Sequence, residues 1–239
     1  MRKYHIPKRV LLKLSGEALQ GEQGYGIDPK FLAFLAKKIV SLVQSRNLEI
    51  AIVVGGGNIF RGITLEQGGF DRGVGDHMGM LGTIINGLAI GEAIEHEGVD
   101  VRVMSAIPTD RVAETFIRRR GLRHLEKGRV VICVGGTGNP YFTTDSCAVL
   151  RALELDCDVV VKATKVDGIY DKDPKKHTDA IRHETLHMHE VLTRDIRVMD
   201  KSAIALANDE EMPIYVCRIE DIDQIGTEEI IGTFVHAKK

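Results

Sequence analysis

An α/β fold, an open and mostly parallel sheet sandwiched between helices, is the architecture this sequence predicts. Short apolar, β-branched runs recur along the chain with helical patterns between them, and they are hydrophobic at successive positions, as strands covered on both faces must be. Several of these runs lead straight into glycine-rich turns that open helices. In a parallel sheet such turns collect at the carboxyl edge of the strands, where ligands bind.

The strand runs are residues 10–14, 49–54, 99–104, 129–134, 158–161 and 213–217, with a final strand near 230–235. Between them, helices are expected over 28–46, 75–96, 111–127, 144–155 and 200–208. The first of these has Asp28 as N-cap and Pro29 in its first turn. The polar, histidine-rich stretch 177–195 reads as a connection plus a short helix. No repeat, heptad pattern or low-complexity segment appears, and 239 residues suit one α/β domain.

Composition narrows the function. With 32 Lys and Arg against 34 Asp and Glu, no overall field draws the chain to nucleic acid or to an anionic membrane, so partners must be argued from local sites. Arg118, Arg119, Arg120 and Arg123 form the one short basic patch, and no aromatic residues are interleaved with it. Cys133, Cys147, Cys157 and Cys217 are scattered without a CxxC pair and read as reduced core thiols of a cytoplasmic protein. The basic residues 1–9 lead only into a short apolar run broken at Lys13, which suits neither a signal peptide nor a membrane span. His183, His187 and His189 cluster without the carboxylates or cysteines that would complete a metal site.

Four segments carry chemistry. In Lys13-Leu14-Ser15-Gly16 a lysine leaves an apolar strand just before a small-residue turn. Its charge needs a counter-charge, which a triphosphate would supply; snorkelling to water from a strand edge is the alternative. Gly55-Gly56-Gly57-Asn58-Ile59-Phe60-Arg61-Gly62 follows a strand directly, and Arg61 is placed to clamp a phosphoryl oxygen or to sit in a surface ion pair. Gly135-Gly136-Thr137-Gly138-Asn139-Pro140-Tyr141-Phe142-Thr143-Thr144-Asp145 ends a strand and caps a helix through Thr143 or Thr144, so turn amides, hydroxyls and the helix end face one polar group. The stretch from Lys162 to Pro174 would set Tyr170 beside a base while Lys162 neutralises charge on a transferred phosphoryl group, or it is a solvated turn.

A dinucleotide fingerprint is incomplete in both glycine turns, because Phe60 and Tyr141 stand where its third glycine belongs. No P-loop or protein-kinase signature occurs. Phosphoryl transfer asks mainly for in-line positioning and cations, and Lys13, Arg61, Lys162 and Mg²⁺ would suffice.

Taken in order, these motifs closely resemble the bacterial-type uridylate kinases of the amino-acid kinase superfamily. The resemblance adds residues 11–20, the run Val74-Gly75-Asp76-His77-Met78-Gly79-Met80 and Met104-Ser105-Ala106-Ile107-Pro108 to the segments above, and it spans about residues 8–213. It implies Mg-ATP as donor and UMP as acceptor, yielding UDP in pyrimidine nucleotide biosynthesis. The acceptor would lie in roughly residues 1–155 of a single domain and the ATP nucleoside in roughly 156–239. Lys13, Leu14, Ser15, Gly16, Gly57 and Arg61 would hold ATP phosphates, with Thr164, Tyr170 and Asp173 around its nucleoside. Gly56, Asp76, Thr137, Gly138, Asn139, Pro140, Tyr141, Phe142, Thr143 and Thr144 would hold UMP, Asp76 receiving ribose hydroxyls. Lys13, Arg61 and Lys162 would be the catalytic cations and Asp145 their organiser. The family likeness also implies a homohexamer activated by GTP at Gly21, Glu22, Gln23, Gly24, Tyr25 and Gly26, and inhibited by UTP.

Three competing readings remain at the level of sequence: the same fold with a carboxylate or carbamate acceptor, a nucleotide-sensing or RNA-binding module without turnover, and a dinucleotide-dependent oxidoreductase.

Overall fold

The computed structural model describes residues 7–60, 69, 71–194, 196 and 198–237. Its strands are β1 (Arg9–Leu14), β2 (Glu49–Val54), β3 (Val101–Ser105), β4 (Glu114–Thr115), β5 (Val130–Val134), β6 (Val159–Thr164), β7 (Thr185–His187), β8 (Ile214–Arg218) and β9 (Gly232–His236). They form one sheet in the order β4-β3-β5-β2-β1-β6-β8-β9-β7. Every pairing is parallel except β8 with β9. The expected α/β sandwich is therefore present, with β1 near its centre.

The helices are α1 (Gly16–Leu19), α2 (Pro29–Arg46), α3 (Arg72–His96), α4 (Arg118–Glu126), α5 (Thr144–Glu154), α6 (Met188–Thr193) and α7 (Lys201–Asp209). Alternation along the strands divides the core in two. Leu12, Leu14, Ile50, Ile52 and Val54 pack with Leu35 and Ile39 of α2 and Ile84, Ile90 and Ile94 of α3 on one face. Leu11, Ala51 and Val53 pack with α5 and α7 residues such as Cys147, Val149 and Ile204 on the other. Each buried aliphatic side chain contributes about 1.5–3 kcal/mol, which makes these faces the main source of stability. Among the described residues no helix is long and apolar enough to cross a membrane.

Local chemistry set most boundaries. Asp28 caps α2, its side chain accepting from the Lys30 amide at 2.9 Å with Pro29 in the first turn. All four cysteines are free and buried, and burial pushes the Cys147 thiol up to about 11 and Cys217 to about 12.

The expected helix over 111–127 is shorter than its pattern: it begins only at Arg118, and Glu114–Thr115 pair with β3 as an edge strand. Val112, Ala113, Phe116 and Ile117 are spaced as well for a helix as for this path, but the Ser105 carbonyl takes the Phe116 amide at 2.8 Å and pulls the segment to the sheet. The 177–195 stretch holds the short helix α6 and, in addition, β7. The His183 amide bonds to the Ile169 carbonyl, and the His187 ring meets that of His236 edge-on, centroids 4.5 Å apart.

Candidate active site

The parallel register of β1 and β6 sets Lys13 directly beside Lys162. Both lie on the Leu11 face, under the first turn of α5. There Asp145 answers both charges, its Oδ1 at 2.7 Å from Lys13 Nζ and its Oδ2 at 3.2 Å from Lys162 Nζ. The three side chains are only 11%, 19% and 16% exposed for Lys13, Lys162 and Asp145 respectively, so the interaction is poorly screened. Lys162 also donates to the Val198 carbonyl.

Burial alone would raise the Asp145 carboxyl pKa, but the ammonium groups of Lys13 and Lys162 together hold it below the usual carboxylate range. Burial, aided by the charge of Lys13, lowers Lys162 against the opposing pull of Asp145. Two cations on one carboxylate leave positive charge facing the cleft, an arrangement suited to a phosphoryl group.

Asp145 is held by the helix that carries it. Thr143 is the N-cap of α5, its hydroxyl oxygen accepting from the Asp145 and Ser146 amides. That hydroxyl in turn donates to Asp200, which also takes the Ser146 hydroxyl at 3.1 Å and caps α7 through the Ala203 amide at 2.8 Å. One carboxylate thus ties together the starts of two helices. Asp200 was not singled out in the sequence; its position as N-cap of the next helix was the available signal.

The glycine turns are packed on one another. An added Cβ at Gly16 would lie 2.4 Å from the Gly55 carbonyl oxygen and 2.6 Å from Asn58 Oδ1, and one at Gly56 would lie 2.5 Å from the Gly79 carbonyl oxygen of α3. Backbone therefore meets backbone where β1, β2 and α3 converge. Replacing Gly16 with alanine should destabilise the fold by about 1–3 kcal/mol through overpacking and weaken ATP binding; urea denaturation together with nucleotide titration measures both, and unchanged values would show that the two turns can separate.

On the other side of the cleft, Gly135, Gly136 and Gly138 all have positive φ (75°, 59° and 85°). This conformation lets the chain fold back over the end of β5. Thr83 of α3 fixes the start of that turn by accepting from the Gly135 amide at 2.8 Å. Its far end is fixed by Asp76, whose Oδ2 accepts from the Tyr141 amide at 2.7 Å, with the Arg72 guanidinium 5.1 Å from the centroid of the Tyr141 ring. Arg151, 5% exposed, supports the turn from below through the Gly136 carbonyl at 3.4 Å.

Between these walls lies a cleft of about 530 Å³, lined by Glu17, Gly56, Gly57, Asp76, Gly136 and Phe142 to Thr144, among others. The structure thus brings together Gly56, Gly57, Asp76, Phe142, Thr143 and Thr144, with the Lys13–Asp145–Lys162 cluster beside them. Thr137 bonds to the Asn139 carbonyl at 3.1 Å within the turn, and Tyr141 is 63% exposed at its rim. Leu14 is fully buried, and its carbonyl accepts from the Gly55 amide at 3.1 Å. Ser15 precedes α1 as a cap residue without a side-chain bond.

Other expected residues stand outside this cleft. Thr164 bonds to the Val166 carbonyl at 2.6 Å, Tyr170 donates to Asp167 at 2.8 Å, and Asp173 accepts from the Lys175 amide at 3.0 Å. The loop containing Gly21, Glu22, Gln23, Gly24, Tyr25 and Gly26 joins α1 to α2 and meets the turn after β2 at Asn58, whose side-chain amide donates to the Gly26 carbonyl at 2.7 Å. Arg61 lies outside the described residues.

The profile of the amino acid kinase family matches residues 8–218, and the chain belongs to that family. A uridylate kinase of Xanthomonas oryzae pv. oryzae is 53% identical over 234 residues, covering 97% of each chain. One of Sulfurimonas denitrificans is 57% identical over 211 residues, 88% of this chain and 89% of its own. Among solved structures, UMP kinase from Bacillus anthracis superposes with a TM-score of 0.94 at 39% identity, over 98% of both chains. Within its family the chain stands among the uridylate kinases.

Proposed function

We propose that this chain transfers the γ-phosphoryl group of Mg-ATP to UMP, giving ADP and UDP. The observation that carries the reading is the pair of neighbouring lysines sharing Asp145 beside a cleft walled by two glycine turns. Kinship with uridylate kinases over nearly the whole chain selects the acceptor.

In this reading Lys13 meets the transferred phosphoryl oxygens and Lys162 supplies the second cation. Asp145 is a positioning residue that fixes both ammonium groups. The acceptor phosphate is itself a competent nucleophile, so no strong general base is required. Lys13 to Gly16, Gly57 and Arg61 hold the ATP phosphates, while Thr164, Tyr170 and Asp173 in the 156–239 part surround the nucleoside. Gly56, Asp76 and residues 137–144 hold UMP in the part before it.

Among the described residues no three His, Cys, Asp or Glu side chains stand together as a metal cage, and Asp145 is committed to two lysines. Mg²⁺ would therefore be held mainly through the substrate phosphates, keeping several of its waters. The ion, when bound, neutralises phosphate charge.

Turnover measured as ADP release against UMP, CMP, dUMP, carbamate, aspartate and N-acetylglutamate tests the proposal. Turnover confined to UMP is expected, and a carbamate or amino-acid acceptor would keep the fold and discard the substrate. Asp76→Asn should raise the KM for UMP about tenfold or more while changing that for ATP little, since a carboxylate accepting ribose hydroxyls forms charge-assisted bonds. Equal loss for both nucleotides would move Asp76 out of the acceptor site.

A cytoplasmic, homohexameric enzyme of pyrimidine nucleotide biosynthesis, activated by GTP at residues 21–26 and inhibited by UTP, completes the proposal. Support for self-association comes from α3, where Val74, Met78, Leu81, Ile85 and Leu88 are 37–50% exposed in a heptad-like stripe.

A further inference from the structure

We infer that Asn86, in the middle of α3, is a positioning residue for phosphoryl transfer, fixing the turn after β2 that offers Gly56 to the acceptor and Gly57 to ATP; the inference rests on the reading of the cleft given above. Asn86 is fully buried and Asn58 is 6% exposed. Their side-chain amides bond reciprocally, Asn86 Nδ2 to Asn58 Oδ1 at 2.6 Å and Asn58 Nδ2 to Asn86 Oδ1 at 2.9 Å. Asn86 Nδ2 gives its second hydrogen to the Gly55 carbonyl at 2.7 Å. Asn58 gives its own to Gly26. Every amide hydrogen of the pair is thereby used.

The place of these bonds explains why they bear on catalysis. The Gly55 carbonyl and Asn58 Oδ1, the two oxygens to which Asn86 donates, are the same two that a side chain at Gly16 would strike. The Gly55 amide bonds back to the Leu14 carbonyl at 3.1 Å. Asn86 therefore fixes the shape of the turn that presents Gly56 and Gly57 to the cleft, the same turn on which Gly16 at the start of α1 is seated. Without Asn86 the Gly55 carbonyl and Asn58 Oδ1 would each lose a donor. Apolar helix residues could fill the volume of Asn86, but they could not bond both groups, and a buried amide is costly unless so used.

Loss of this device should act on the relative orientation of two bound nucleotides rather than on the binding of either, since small misplacements cost about 10- to 100-fold in rate. Wild-type turnover of UMP is measured first; its absence would defeat the functional reading itself. With that activity in hand, Asn86→Leu should lower kcat per folded molecule about 10- to 100-fold while the KM of each nucleotide changes much less.

Asn86→Asp supplies a second readout that mere packing would not move. The bonded partners of position 86 are uncharged, and burial raises a carboxyl there well above its usual range. When protonated it can donate to the Gly55 carbonyl, and when ionised it cannot. The ratio of its kcat to that of the wild type should therefore rise as pH falls from about 9 to about 6, with folding monitored by circular dichroism across the range. Near-normal kcat in folded Asn86→Leu, or a ratio for Asn86→Asp that stays flat with pH, would overturn the inference while leaving UMP phosphorylation intact.

Discussion

Replacing Lys13 with alanine should lower kcat by about 10²–10³-fold, the loss found when one preorganised donor to a developing anion is removed, and should leave the protein folded. The second part follows from the geometry. Without Lys13, Asp145 still faces Lys162 at 3.2 Å, so no buried carboxylate is left without a partner. The neighbouring strands, bonded through their backbones on either side of Lys13, lose no hydrogen bond. Steady-state rates with saturating ATP and UMP, alongside a thermal melt, decide the matter. A folded variant that turns over near the wild-type rate would remove Lys13 from the chemistry.

Asp145→Asn should have the opposite signature, a large loss of stability as well as of rate. It leaves two adjacent lysines without their common counter-charge, and removing one member of a buried ion pair costs about 3–5 kcal/mol. The pH dependence gives an independent check. Because the folded carboxyl lies below its unfolded value of about 3.9, its contribution is fully present above roughly pH 4 and is lost as the pH falls through the folded pKa. The stability gap between wild type and variant should thus be constant from neutral pH to about 5 and close in stronger acid. A gap that does not narrow there would mean that the carboxylate is not what holds the lysines.

How much of this was legible follows from where each feature's cause resides. Caps such as Asp28 and Thr143, and the glycines that need positive φ after β5, act within a few residues of themselves and could be read directly. Lys13 could be singled out as a charge leaving an apolar strand, whereas Asp145 read locally only as part of a helix cap and gained its organising role from the family resemblance. Their meeting was not legible, because it depends on β1 lying next to β6, a pairing of segments far apart in the chain. The Asn58–Asn86 pair and the double use of Asp200 depend on such packing too, and an asparagine inside a helical pattern gives no sign of whether it faces a partner or water. The segment 111–117 was misread because periodicity cannot register a sheet edge that competes for its amides.

Both margins of the sheet are its shortest strands, the two residues of β4 and the three of β7. A row of unpaired amides and carbonyls of that length is too brief to template another chain, which is how natural sheets resist strand addition and fibre growth. Among the described residues, edges this short leave assembly to the side-chain surfaces. A ligand edge built from parallel strands can in this way operate at high local concentration without inviting its neighbours to extend the sheet.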